Sequence, residues 1–401
     1  LKLYRNTLAV ALVGFLSACS SSNNTTTPSG GDEPTGNESA FIASAAPDSG
    51  VIERYDAASG TLIASYPASS SNDIRVATDG THIYQIGRFM LDTLTKFAAD
   101  DTSTALFDFS VNGDAVSANP YSLAFVSDTK AYLIRYGSNK VWIIDPSVDG
   151  TQEDMLVTGE LDLTAYDTGG NAKMSQSVLV GDKLFILMER LDASFQPQDP
   201  GYVAVFDTTT DTEIDTGKGE NGLLGIQLGT INPGTIQYVE STGEIYVTGR
   251  GNQFGAMLAD PDPYQGGIET IDPTTYDIAM LLDDGTETDN NGFFNNSFVV
   301  SPTVGYVVTN NGTFREDTLH MFNPMTGVLA DAPVTGFVDT GISNLALAPN
   351  GNLWVGVPGA APGDGSGYFQ IDNSTGEVVG ELIATTFSPL NVVFVDVPAA
   401  P

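Results

Sequence analysis

The stretch from Asn119 to Asp145 carries the clearest alternation of apolar and polar positions in the chain. Leu123 and Phe125 alternate with small or polar neighbours, Ser127 to Lys130 reads as a turn, and Ala131 to Arg135 is a second apolar run. Gly137-Ser138-Asn139 makes another turn, and Val141 to Ile144 is a third run that stops at Asp145-Pro146. Short period-two runs bounded by Gly, Asn, Asp and Pro predict strands joined by tight turns.

The same phrase recurs along the chain. Phe41 to Ala45, Val51 to Tyr55 and Thr61 to Tyr66 form one set, and Asp73 to Ala77, His82 to Gly87, Thr93 to Phe97 and Ala105 to Phe109 a second. Asn119 to about Tyr166 is the third. Lys173 to about Leu228, Pro233 to Asp283, Asn295 to about Val334 and Ile342 to Ala384 follow, with Asn391 to Val395 left over. Repeats of about 45–55 residues fit the four-stranded blades of a β-propeller. Asn391 to Val395 would supply the inner strand of the first set, which pairs the termini and removes an open edge. The expected fold over 41–397 is all-β: a seven-bladed propeller of four-stranded blades, closed by its N- and C-terminal strands.

A hairpin between the outer two strands repeats as Asp56…Gly60, Asp145-Pro146…Gly150, Asp207-Thr208, Asp272-Pro273, Asn323-Pro324…Gly327 and Asp372…Gly376. Asp and Asn accept hydrogen bonds from the backbone two residues on, Pro pre-sets φ, and Gly takes positive φ. These acids read as turn formers, not as catalysts.

Ala131-Tyr132-Leu133-Ile134, Ile245-Tyr246-Val247-Thr248 and Gly305 to Asn310 resemble the YVTN-type β-propeller repeat, and Gly137 to Pro146 matches that repeat's next strand and turn. The resemblance covers most of 41–397; it is strongest in the third set and weakest in the second and fourth. It implies a fold and almost nothing about chemistry, because such propellers serve as scaffolds, binders and occasionally enzymes.

Charge narrows the partners. Fifty acidic residues against fifteen basic ones give −35, which argues against nucleic acid and anionic lipid surfaces. The single cysteine, Cys19, excludes a disulfide within the chain, and with only His82 and His320 a zinc site of His and Cys is not available. At the N-terminus, Lys2 and Arg5 precede an apolar run from Thr7 to Leu16 that is too short for a stable membrane anchor. Leu16-Ser17-Ala18-Cys19 resembles the bacterial lipobox. Residues 1–19 are therefore expected to be a lipoprotein signal peptide with Cys19 as the lipidation site, an ordinary secretory signal being the alternative. Residues 20–40, rich in Ser, Asn, Thr and Gly, are expected to be a flexible tether. Ser20 and Ser21, in place of Asp, resemble lipoproteins sent to the outer membrane, which the protein would meet only through its lipid.

The candidate chemistry lies in the loops after each second strand, which are long at Glu189–Gly201, Gly249–Gly267, Asn310–Asp317 and Gly356–Gly367. Arg88, Arg135, Arg190, Arg250 and Arg315 fall at or just after those strands. Five guanidinium groups on one face would suit a small anionic ligand such as a carboxylate or acidic sugar. Alternatively, each pairs locally with an acid such as Glu189, Asp192 or Glu316. Polar residues at the inner-strand entrances (Asn119, Gln176, Asn232, Asn295, Asn296, Asn344 and Asn391) either ring the channel or cap strand ends. Asp260 and Asp262 are oxygen donors of the kind Ca²⁺ takes, the one cofactor the sequence leaves open. The leading expectation is a cell-envelope lipoprotein acting as a non-catalytic propeller, binding a small anion or an envelope protein. The alternative is a lactonase- or lyase-like propeller enzyme acting on a sugar acid.

Overall fold

The computed structural model describes residues 38–397 except 102, 114, 198–199, 253–262, 314 and 360–364. The expected signal peptide with Cys19, most of the expected tether, and the acidic pair Asp260 and Asp262 lie outside the described residues.

Seven antiparallel blades follow one another, and in all but the first the chain runs from the inner strand outwards. Blade 2 comprises Ile74–Thr78, His82–Gly87, Thr93–Ala98 and Ala105–Ser110, and blade 3 Pro120–Ser127, Lys130–Arg135, Lys140–Ile144 and Val157–Asp162. Blade 5 comprises Pro233–Val239, Glu244–Gly249, Gly267–Ile271 and Ile278–Asp283. Blade 6 comprises Phe293–Ser301, Val304–Asn310, Asp317–Asn323 and Val328–Pro333, and blade 7 Asn344–Leu347, Leu353–Val357, Gly367–Asp372 and Glu377–Ala384. Blade 4 has Met174–Val180, Lys183–Met188 and Tyr202–Asp207, but its outer position is shared by two short pieces, Thr212–Glu213 and Ile226–Gln227. Glycines at 217, 219, 222 and 225 interrupt the strand there.

Blade 1 is built from both ends of the chain. Glu38–Ala46, Ser49–Asp56 and Leu62–Ser65 take Ser388–Asp396 as their inner strand, with Ala40 opposite Phe394 and Ile42 opposite Val392. Ring closure by the two termini is thus as the leftover strand predicts.

The core is divided among the blade interfaces. Alternate residues of a strand face opposite neighbours: in Lys130–Arg135, Ala131 and Leu133 pack toward blade 2 with Tyr84 and Phe107, whereas Tyr132 and Ile134 pack toward blade 4 with Met174 and Ile186. Among the described residues, seven apolar clusters fill seven interfaces, the last of them setting Trp354 and Tyr368 of blade 7 against Ala40 and Ile42 of blade 1. Period-two patterning with both faces apolar follows from a blade being sandwiched between two others.

Polar side chains of the inner strands join neighbouring blades. The Asn391 amide accepts from Val76 N at 3.0 Å and donates to Val76 O at 2.8 Å. Gln237 makes the same pair of bonds with Val299, at 2.8 and 2.9 Å. The Gln176 amide donates to Gly234 O at 3.0 Å. Each satisfies a buried backbone group that has no strand partner on that side.

Candidate functional site

One end of the propeller carries the start of every inner strand and the end of every second strand. In four successive blades the residue after the second strand donates its amide to the carbonyl of the residue before the inner strand. The pairs are Arg88 to Asp73 at 2.8 Å, Tyr136 to Asn119 at 3.0 Å, Glu189 to Lys173 at 3.1 Å and Arg250 to Asn232 at 3.1 Å. Asn119, Lys173 and Asn232 all have left-handed backbone, with φ of 45°, 54° and 51°. Asn tolerates that region well and Lys does not. The backbone is thus repeated while the side chains are not: Arg, Tyr, Glu and Arg occupy the four equivalent positions.

These side chains meet at the mouth. Tyr121, the second residue of the inner strand of blade 3, lies under the Arg88 guanidinium at 3.8 Å from its ring centre, with Arg75 at 5.0 Å. Its ring stacks on Tyr136 at 5.5 Å. Tyr136 donates its hydroxyl to Glu189 Oε2 at 2.7 Å, and Glu189 Oε1 lies 3.7 Å from Arg250 Nη1, an ion-pair distance too long for a hydrogen bond. Lys173 holds its ammonium over Tyr136 at 5.6 Å and Phe195 at 4.8 Å. Arg250 has room because blade 5 carries glycine at the position equivalent to Tyr121: a Cβ on Gly234 would sit 2.2 Å from Arg250 Nε.

The charges are unevenly balanced. Arg88 pairs with Asp73 at 2.8 Å, yet its Nε is buried without a hydrogen bond. Arg75 and Lys173 make no salt bridge and no side-chain hydrogen bond among the described residues; their nearest contacts are aromatic rings, with Asp73 near Arg75 and Glu189, Asp167 and Asp192 near Lys173 beyond ion-pair distance. Arg75 is half-buried. Lys173 is 8% exposed, with the Phe195 ring against its ammonium.

Protonation follows from this crowding. Burial pulls the Arg75 guanidinium below its usual range, with Arg88 and Arg250 adding repulsion and Tyr121 and Asp73 opposing it. Burial likewise lowers Lys173, partly offset by Glu189 and Asp167. Burial alone would raise the Tyr121 phenol, but Arg75, Arg88 and Arg250 outweigh it and the net shift is downward. Glu189 is raised by burial, against the pull of Arg250 and the Tyr136 hydroxyl. These are positively charged surroundings for whatever occupies the mouth.

Of the five arginines singled out by sequence, Arg88 and Arg250 belong to this group. Arg135 is fully buried, its guanidinium 4.0 Å from the Trp142 ring centre and bonded to Asn112 O. It ends its strand one residue before the equivalent position, so it points between blades 2 and 3 while Tyr136 takes the mouth. Arg190 lies one residue beyond that position, with left-handed backbone (φ 52°), and stacks on Tyr202 at 4.8 Å. Arg315 is exposed over blades 6 and 7, donating to Gly359 O at 3.3 Å. Residue type and approximate place do not reveal Arg75, Tyr121, Tyr136 and Lys173. The signal that could have found them is register, counted from the strand ends.

Elsewhere, His82 pairs with Asp79 at 2.9 Å, and burial pushes His320 down. An open cleft of about 270 Å³ on blade 6 is lined by Tyr264, Asn310, Glu316, His320 and Asp339, among others; none of the five arginines lines it. No cluster of three metal-ligating side chains occurs among the described residues.

No family model and no curated protein matches the sequence. Solved structures do match. Hydrazine synthase of Kuenenia stuttgartiensis is 12% identical, with TM-score 0.54 over 88% of this chain and 97% of that one. Apo AztD from Citrobacter koseri is 13% identical, with TM-score 0.54 over 89% and 97%. A functionally unknown protein from Desulfotomaculum acetoxidans is 11% identical, with TM-score 0.54 over 89% and 98%. Identities this low establish shared architecture alone. The chain is a seven-bladed β-propeller similar to these proteins in fold.

Proposed function

We propose that this protein is a binding propeller whose mouth takes up a small organic anion, and that it works at the cell envelope, exported and held there by a lipid on Cys19. The observation that supports the binding reading most is the pair Arg75 and Lys173. In a chain with fifty acidic residues, these two cations make no ion pair among the described residues and stand at one mouth, on either side of the stacked Tyr121 and Tyr136. A partly buried cation with no acid in ion-pair contact is incompletely compensated, and an anionic ligand would offset that cost. Arg88 and Arg250 add to the same field.

The test is thermal melting of the full-length chain with carboxylates, at constant ionic strength set with chloride. A native-state ligand raises Tm by mass action. We expect at least one carboxylate to raise Tm and the Arg75→Met, Lys173→Gln double variant to lose that response while still melting cooperatively. Equal responses in the parent and the variant would remove the mouth from consideration. Lipid attachment is checked separately, by the mass of the mature N-terminus in parent and Cys19→Ser chains.

A further inference from the structure

The rim of the mouth is apolar where the floor is charged. Phe89 is 59% exposed, Met90 69% and Phe195 57%. Most other exposed large apolar residues, such as Leu62, Ile63, Met280 and Val328, lie on the outer strands at the perimeter. The three at the rim sit in the loops that follow the second strands of blades 2 and 4. Met90 and Phe195 also have left-handed backbone, with φ of 65° and 59°. Exposure and an unfavourable backbone are two separate costs, borne at the same positions.

Nor are these loops loosely held. Phe89 N donates to Asp73 Oδ2 at 3.2 Å, Met90 N to Ser117 Oγ at 3.1 Å, and Asp92 N to Arg88 O at 2.8 Å. In the second loop Asp192 Oδ1 accepts from Ser194 N at 2.7 Å and Gln196 N at 3.0 Å, and Phe195 N donates to Asp192 O at 3.0 Å. The apolar groups are presented by pinned turns, which lowers the ordering cost of a contact made to them. Contacts run without a break from rim to floor: Phe195 over Lys173, Lys173 over Tyr136, Tyr136 on Tyr121, and Tyr121 under Arg88, the neighbour of Phe89. By contrast, the nearby amides of Asn112, Gln176 and Asn232 already bond backbone groups.

We propose that the mouth selects a carboxylate carried on a ring-sized apolar body, an aromatic carboxylic acid in its ionised form, over a sugar acid. The carboxylate is drawn to the cations of the floor, and the ring to the apolar side chains of the rim, at Phe89 and Met90 on blade 2 or at Phe195 on blade 4. This rests on the anion-binding reading of the same mouth.

The test is calorimetric titration of the full-length chain with phenylacetate, acetate and gluconate. Phenylacetate should bind at least about tenfold more tightly than the other two. At least one of Phe89→Ser and Phe195→Ser, both at exposed positions, should lower the ratio of phenylacetate to acetate affinity by about threefold to tenfold. Gluconate binding as tightly as phenylacetate, or phenylacetate affinity untouched by both Phe variants, overturns the choice of ligand class while leaving an anion site standing. Failure of all three to bind, acetate at high concentration included, overturns the anion-binding mouth itself and this inference with it.

Discussion

The two ends of the propeller use repetition in opposite ways. At the end carrying the outer hairpins, one device recurs. Asp145 accepts from Ser147 N at 2.9 Å, Asp207 from Thr209 N at 2.8 Å, Asp272 from Thr274 N at 2.7 Å, Asn323 from Met325 N at 2.9 Å and Asp372 from Ser374 N at 2.7 Å. Asp56 makes the variant one residue longer, accepting from Ser59 N at 2.7 Å. The acids are satisfied within their own turns, and the hydroxyl and amide donors hold Asp56, Asp207, Asp272 and Asp372 below the usual carboxylate range. At the mouth the repeated element is a backbone hydrogen bond, and the side chains on it differ from blade to blade. Where the same side chain recurs, it solves a problem of chain geometry that every blade shares. Where the backbone is held constant and the side chain varies, as through Arg88, Tyr136, Glu189 and Arg250, geometry does not explain the choice.

The contrast breaks most visibly at Arg75. If the mouth is built for a ligand, Arg75→Met should weaken carboxylate binding by about tenfold to a hundredfold, the effect of removing a charged partner. It should not destabilise the fold. Burial and the neighbouring Arg88 and Arg250 already disfavour the charged guanidinium, so Tm should hold or rise by about 1–2 °C. A clear fall in Tm would place Arg75 with the turn acids as a structural residue.

The same contrast explains what could be read from sequence. Fold and closure were legible because strand period, turn chemistry and repeat length all point to one architecture, down to Asn391 to Val395 completing blade 1. The turn acids were legible because their partners are two or three residues away. The mouth was only partly legible, because its partners lie in different blades. Tyr136 bonds Glu189 across fifty-three positions, and Arg135 and Arg190 each miss the equivalent site by one residue. In a strand, one residue of offset turns a side chain to the other face, so proximity in sequence is a poor guide there.

A smaller effect is expected at Glu189, and it depends on pH. Its carboxyl is raised by burial, so it stays protonated to higher pH than a free glutamate and then ionises beside Arg250 and Lys173, with Arg88 and Tyr136 also facing it. Ionisation places a negative charge in competition with the ligand. Carboxylate affinity should therefore fall as pH rises through the folded-state value. Glu189→Gln keeps an acceptor for the Tyr136 hydroxyl and should flatten that profile, with affinity about threefold to tenfold higher at the alkaline end. The stability sign is the same. With the folded value above the unfolded one, the parent is favoured at acid pH and loses that advantage as pH rises, whereas the variant has no such slope. An unchanged binding profile in Glu189→Gln would separate Glu189 from the ligand.

Smaller again is the effect of Gly234→Ala. The three atoms nearest a Cβ there all belong to the movable end of Arg250, with Nε at 2.2 Å, so the guanidinium must shift. Carboxylate affinity should change by about threefold, with Tm within about 1 °C of the parent. A large loss of Tm would mean that Gly234 is required by the inner strand rather than by Arg250.

The smallest expected effect lies at the opposite end, and it sharpens the comparison by leaving the mouth untouched. Asp207 accepts from Thr209 N and Thr210 N at 2.8 and 2.9 Å, and with the Thr209 hydroxyl these bonds lower its pKa to about 2. Asp207→Ala should lower Tm by about 1–2 °C and leave carboxylate affinity unchanged. Because the folded value lies below the unfolded one, the ionised turn stabilises the fold at neutral pH, and that contribution fades as pH falls from about 4 toward about 2. Asp207→Asn keeps the acceptor oxygen without the charge. It should match the parent's turn geometry at neutral pH and lack the acid-dependent part of the loss. Melting curves of parent, Ala and Asn chains at pH 7 and pH 3 separate the two contributions. If any of these substitutions altered carboxylate affinity, the two ends would be coupled, and the division between a structural face and a binding face would fail.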